Sequence, residues 1–225
     1  MDFEKKYFEK YREQKLRTNF FNSLIRKLIK KSGRILDIGC AYGFYLKYLE
    51  NDYETYGIDI SLHAVEKAKQ ICKHSKIAVM SAERLEFKNN FFDLILCLDI
   101  LEHLINPRKC LDDCKKILKD NGFLIVGVPN TKSILKKLKG TEWFAYRDKT
   151  HISIFDKEKW EELFKEHNFE ILKCFSEGFW DIPYVKFLKS LQKVFLIPGV
   201  IQYKLKRILI PPIGENLIYI LRCKK

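Results

Sequence analysis

Two groups of residues in this 225-residue sequence could do chemistry. The first is Asp37, Gly39, Cys40, Ala41 and Gly43, followed by Asp59 and Ile60. It reads as a buried strand, a tight turn of small residues, a helix, and a second strand ending on a carboxylate. Small residues let the backbone approach a ligand closely. A helix starting near Gly43 aims free N–H groups at the same place. Asp59 lies 20 positions after Gly39, where a nucleotide-binding α/β unit puts the acid that holds ribose hydroxyls. The second group is His151, His103 and Asp99. Histidine titrates near neutral pH and suits a general base. His151 ranks first because it precedes a helix at the carboxyl rim of the expected sheet, where ligands bind in open α/β folds. His103 ranks second. Asp99, just past the fourth expected strand, ranks third. His63, His74 and His167 fall on expected helices and read as surface residues.

Several chemistries are set aside. A dinucleotide fingerprint needs G-x-G-x-x-G; here Ala41 and Phe44 stand at its second and third glycines. No G-x-S-x-G elbow or H-E-x-x-H metal pair occurs. The seven cysteines form no C-x-x-C pair, which fits reduced thiols and a cytoplasmic setting. Cys110 and Cys114 share a helix face and read as buried packing, so no metal is expected. The net charge is +13, and all of it comes from the ends. Residues 1–32 carry ten Lys/Arg against four Asp/Glu, residues 178–225 nine against two, and the middle balances. Basic ends suit phosphate, anionic lipid or nucleic acid, or simply a lysine-rich solvated surface.

The elements that would position these residues follow from periodicity. Apolar residues between 3 and 31 recur at helical spacing, giving one or two amphipathic helices with a break at Asn19 or Asn22. Strands then alternate with helices: strands near 34–38, 54–59, 76–80, 91–97, 122–128, 169–176 and 215–223, helices near 43–50, 61–73, 107–119 and 156–167. Such alternation predicts a largely parallel sheet covered on both faces. Asn121-Gly122 is expected to cap the helix before the fifth strand. The segments are 1–32, N-terminal helices; 33–177, core; 178–214, a basic apolar insertion; and 215–225, the last strand. The insertion interleaves apolar residues with lysines. It reads as a lid, a partner contact or a surface lying peripherally on a membrane.

The motif D-x-G-x-A-x-G from Asp37 resembles the cofactor loop of class I (Rossmann-like) S-adenosylmethionine-dependent methyltransferases. Met80 to Phe87, Phe91 to Cys97, Glu102-His103-Leu104, Leu118 to Gly122 and His151 to Phe155 are similar, in order, to later motifs of the type 11/12-like branch. The resemblance implies a doubly wound α/β fold with a seven-stranded, mostly parallel sheet and an antiparallel last strand. It implies that Asp37, Gly39 and Ala41 hold the methionine end of the cofactor, with Cys40 and Gly43 also in the cofactor-binding set, and that Asp59 takes the ribose hydroxyls. Ile60 would pack on adenine, Ser81 and Ala82 would meet its edge, and the backbone of Cys97 would lie near the cofactor amine. The family often has Asp where Ser81 stands. Cys97 to Ile100 match neither the [DN]-P-P-[YFW] of amino-methylases nor the Pro-Cys of cytosine-carbon methylases. The implied activity is methyl transfer to a small-molecule, glycan or lipid-linked acceptor, at oxygen. An RNA or protein methyltransferase and a non-catalytic cofactor-binding protein are the alternatives.

Overall fold

The structure, a computed structural model, describes Phe8, residues 12–178 and residues 214–225. A helix α1 (Lys15–Leu28) precedes β1 (Arg34–Ile38), α2 (Phe44–Leu49), β2 (Glu54–Asp59), α3 (Leu62–Ile71), β3 (Lys76–Val79) and β4 (Phe92–Leu98). A 3-10 turn (Leu101–His103), α4 (Pro107–Ile117), β5 (Leu118–Pro129), α5 (Ile134–Lys139), α6 (Phe144–Arg147), α7 (Lys157–Glu166), β6 (Phe169–Glu177) and β7 (Asn216–Cys223) complete the described chain. The seven strands form one sheet in the order β3-β2-β1-β4-β5-β7-β6. The first five run parallel; β7 is antiparallel to both β5 and β6. This is the expected doubly wound sheet with an antiparallel last strand.

Near-continuous apolar runs in the central strands bury both faces, as a parallel sheet requires. On one face Leu36, Ile95 and Val126 meet Cys110, Leu111 and Cys114 of α4 and Trp160 and Phe164 of α7. On the other, Ile35, Leu94 and Ile125 meet Phe20, Phe21 and Ile25 of α1. Helix starts follow local chemistry. Ser61, Asn106 and Asp156 cap α3, α4 and α7 by accepting from the third amide beyond.

Four expectations are corrected. No break occurs at Asn19 or Asn22: α1 is continuous, and Asn22 is buried beneath it. Asn121-Gly122 does not cap α4, which ends at Ile117. Asn121 is left-handed (φ 59°) inside β5, where the register with β4 shifts. His167 is buried, its Nδ1 donating to the Leu163 carbonyl at the end of α7. His74 falls beyond the end of α3 and is exposed. Apart from its two end glycines, the 178–214 insertion lies outside the described residues. No described helix is long and apolar enough to cross a membrane.

One buried ionic network ties α1 to the sheet ends. Arg17 donates through Nε and Nη2 to Glu177 Oε1 at 2.8 and 2.5 Å, and through Nη1 to Asp99 Oδ2 at 2.7 Å. Asn216 donates to the other Asp99 oxygen at 2.9 Å. Removing one partner of such a pair strands a charge without water. Arg17→Met is expected to destabilise the protein by about 3–5 kcal/mol. Adding Glu177→Gln should recover part of that loss. Urea midpoints of the three proteins check this, and equal midpoints would show that α1 is merely laid on the surface.

Candidate functional site

A cavity of about 1050 Å³ opens at the carboxyl ends of β1, β2 and β4. Of the sequence-expected residues, Asp37, Gly39, Cys40, Ala41, Asp59, Ile60, Ser81, Ala82, Asp99, His103 and His151 all line it. Gly43 and Cys97 do not. Cys97 is buried in the core beside Cys110. Gly43 starts α2 in a left-handed conformation (φ 74°), and a Cβ there would sit 2.7 Å from Cys72 Sγ. Its place is fixed by the close packing of α2 on α3.

The loop after β1 alternates its handedness. Gly39 (φ 70°), Ala41 (φ 46°) and Gly43 (φ 74°) are left-handed. Ala41 adopts a backbone that costs an L-residue roughly 1–2 kcal/mol. What holds it there is Asp59. Its Oδ2 accepts from Ala41 N at 2.9 Å and its Oδ1 from Ser61 N at 2.9 Å. One carboxylate therefore joins the loops that follow β1 and β2. Burial raises the Asp59 pKa, and the amides of Ser61, Ala41 and Ile60 oppose that rise. Asp37 has no such relief. It is 3% exposed, and its Oδ2 has no hydrogen-bond partner. Burial, then repulsion from Asp59, pushes its pKa up to about 8. Ile60, by contrast, leaves half its surface open to the cavity (52% exposed).

The opposite end is polar. The Glu102 carbonyl accepts from Ile152 N and Ser153 N, both at 2.9 Å, and Ser153 Oγ donates to the Leu104 carbonyl at 2.7 Å. These bonds strap residues 148–153 onto the 3-10 turn. They bring the rings of His103 and His151 to 4.5 Å between centroids, edge to face. His151 Nδ1 lies 2.9 Å from the Ala145 carbonyl. A carbonyl only accepts, so Nδ1 carries the proton and Nε2 of the neutral ring is the base. Burial, then the neighbouring His151, lowers the His103 pKa.

Sequence reasoning missed Glu102 as a site residue in its own right, and missed Asp148 and Arg17. Glu102 is 1% exposed, its Oε2 has no hydrogen-bond partner, and burial followed by Asp99 raises its pKa well above the usual range. Single ligand atoms from Glu102, His103 and His151 lie within 4.8 Å of one another. These are the described residues that could hold a metal ion. Glu102 had a signal, its place beside His103 in E-H-L. Asp148 and Arg17 had none.

Comparison with known proteins adds the family. A methyltransferase-domain family model matches residues 5–173. Two uncharacterized proteins of Methanocaldococcus jannaschii are similar. One is 39% identical over 55% of this chain and 56% of its own length. The other is 32% identical over 84% and 83%. A ubiquinone biosynthesis O-methyltransferase of Cereibacter sphaeroides is 29% identical over 59% of this chain, which spans 57% of that protein. Among solved structures, an S-adenosylmethionine-dependent methyltransferase from Archaeoglobus fulgidus shares the fold. Its TM-score is 0.68 at 20% identity, covering 98% of this chain and all of that one.

The strain at Asp37 has a measurable sign. A carboxyl whose pKa is higher folded than unfolded holds its proton more tightly when folded. Stability therefore falls as pH rises from the unfolded value of 3.8 towards about 8. Asp37→Asn removes that titration. The ligand-free variant is expected to lose the decline and to be a few kcal/mol more stable than the parent at pH 8. Urea midpoints at pH 5 and pH 8 decide it; parallel behaviour of the two proteins would mean that water reaches the Asp37 carboxyl.

Proposed function

Because this chain belongs to the methyltransferase-domain family and works with S-adenosylmethionine, we propose that it moves a methyl group to a hydroxyl oxygen. The acceptor is a small molecule, a glycan or a lipid-linked compound. One observation carries the reading. A single cavity has two buried acids at one end and a pair of histidines at the other. When bound, the cofactor supplies a methyl already activated on a positive sulfonium.

The cofactor end suits that group. Both oxygens of Asp59 accept backbone amides, and lone pairs are left over for the ribose hydroxyls. The open face of Ile60 matches a flat adenine ring, with Ser81 and Ala82 along its edge. Asp37, with its unpartnered oxygen, faces the methionine end together with Gly39, Cys40 and Ala41. Gly43 and Cys97 support this loop and strand from behind. Held in line, the reactants gain much of their rate from orientation alone, worth roughly 7–11 kcal/mol in favourable cases.

At the acceptor end His151 Nε2 takes the hydroxyl proton. His103 stands beside it, and Asp99, gripped by Arg17 and Asn216, forms the wall. Arg12, Arg147 and Lys149 also line this cavity. The name of the Cereibacter relative supports transfer to oxygen. The 178–214 segment is a lid or a peripheral membrane or partner contact, and the protein works in the cytoplasm.

Asp59→Ala is expected to weaken S-adenosylmethionine at least about tenfold. Calorimetry reads this directly, and unchanged affinity removes the ribose role. His151→Ala is expected to lower turnover on the order of a hundredfold. The readout is transfer of labelled methyl to whichever hydroxyl compound the parent modifies in a screen. Cofactor affinity should hold, and normal turnover removes His151 as the base.

A further inference from the structure

Asp148 belongs to no motif, yet it contacts both routes to the histidine pair. Its Oδ1 accepts from Thr150 N at 2.9 Å and from Thr150 Oγ1 at 2.6 Å. Thr150 Oγ1 lies 2.8 Å from His103 Nδ1. The hydroxyl has one proton, and it is spent on Asp148. His103 Nδ1–H must therefore donate to Thr150, which fixes the tautomer. The second oxygen, Asp148 Oδ2, stands 3.8 Å from His151 Nε2. So one carboxylate orients His103 through a hydroxyl and faces His151 through space. Burial opposes its charge, but the Thr150 bonds and the two histidines hold its pKa below the usual value.

We propose that Asp148 is the positioning carboxylate of the histidine pair: it sets the His103 tautomer through Thr150 and stabilises His151 once that ring is protonated. This rests on the methyl-transfer reading for its purpose, though not for its geometry. As the acceptor O–C bond forms, the hydroxyl proton moves to His151 Nε2 and the C–S electron pair stays on sulfur, leaving a neutral thioether. A positive charge is thereby created on an imidazole whose side chain is only 6% exposed. The Asp148 carboxylate is the negative group facing that nitrogen. The other charges in the surroundings are Glu102 and Asp99 from the β4 side, Arg17 from α1, and Arg147 and Lys149 flanking Asp148 itself. Glu102 also brings a carboxyl oxygen within 4.8 Å of a nitrogen of each ring, but burial raises its pKa well above the usual range, and Asp99 is paired with Arg17. Of the three, Asp148 is the carboxyl bonded into the Thr150–His103 chain and also facing His151 Nε2.

The test needs no acceptor. Histidine ring protons are followed by NMR against pH in the full chain, free and with S-adenosylhomocysteine. Asp148→Asn keeps an oxygen for Thr150 and removes the charge. The midpoints of His103 and His151 are expected to fall by about half a unit or more. Asp148→Glu should restore them, and Thr150→Val should move His103 more than His151. A role in folding alone would leave the midpoints in place, so unchanged titrations overturn the proposal. Should Asp148→Asn fail to fold, Asp148→Glu and Thr150→Val decide by the same midpoints. Stoichiometric perturbation of both rings by added Mn²⁺ or Zn²⁺, abolished by Glu102→Gln, also overturns it, because the pair would then be ligands and not a proton acceptor. The loss of His151 as base would show instead in the turnover of His151→Ala and leave these titrations intact.

Discussion

Everything at the cofactor end turns on one carboxylate that serves two loops. Asp59 ends β2, and its oxygens take the amide of Ala41 after β1 and the amide of Ser61 before α3. Without that anchor, a left-handed alanine has no reason to persist. Ser61 then caps α3 through its own hydroxyl. The crevice between the two strand ends is therefore shaped before any ligand arrives. Lone pairs that the amides leave over on Asp59 face the cavity. Pre-formed geometry of this kind reduces what binding must spend on ordering.

The acceptor end is built by a different device. Its two histidines are 48 residues apart in sequence, and no regular element joins them. A pair of backbone bonds to one carbonyl, that of Glu102, clamps the chain after α6 onto the 3-10 turn. The Ser153 hydroxyl closes the clamp. Because Glu102 O is fixed by the turn that also carries His103, any shift of the turn moves both rings together. Arg17 adds a third fastening by holding Asp99 at the end of β4 and Glu177 at the end of β6. The N-terminal helix thus reaches the wall of the cavity.

The fold was largely legible because its signals are local. Alternating strand and helix periods, with apolar runs in the strands, gave all seven strands. The doubly wound arrangement with an antiparallel last strand came from resemblance, and the strand order is known only from the structure. The loop after β1 was legible for the same reason: Asp37, Gly39, Ala41 and Asp59 sit at fixed spacing, and spacing becomes geometry once β1 and β2 pair in register, so that all four line one cavity. Gly43 and Cys97 mark where that logic stops. Their spacing is right, but one faces α3 and the other faces the core. Asn121 looked like a helix cap because it favours the left-handed region; the chain used that property inside a strand. Arg17 could not be read at all, since its partners are 82 and 160 positions away. Asp148 has near neighbours in Thr150 and His151, but its link to His103 exists only because the Glu102 carbonyl clamps the chain onto the 3-10 turn.

Stability and activity compete at two points in this cavity. Asp37 and Glu102 are buried carboxyls, each with an oxygen that no described protein group satisfies. Leaving a buried polar group unmade costs about 1–3 kcal/mol, and a fold selected for stability alone would have placed amides or apolar groups there. Their positions explain the exception. Both line the cavity, Asp37 near Asp59 and Glu102 beside the histidines. A carboxyl kept neutral by burial ionises when a positive group approaches, so its charge appears only in the complex. Such a group discriminates by charge without repelling its neighbours while the cavity is free. Asp59 and Asp148 differ in having their oxygens hydrogen-bonded: Asp59 by the amides of Ala41 and Ser61, which oppose the rise that burial imposes, and Asp148 by Thr150, which with the histidines holds its pKa below the usual value. Each end of the cavity thus sets a hydrogen-bonded carboxyl beside one with an unsatisfied oxygen, and the unsatisfied member is where the protein gives up stability.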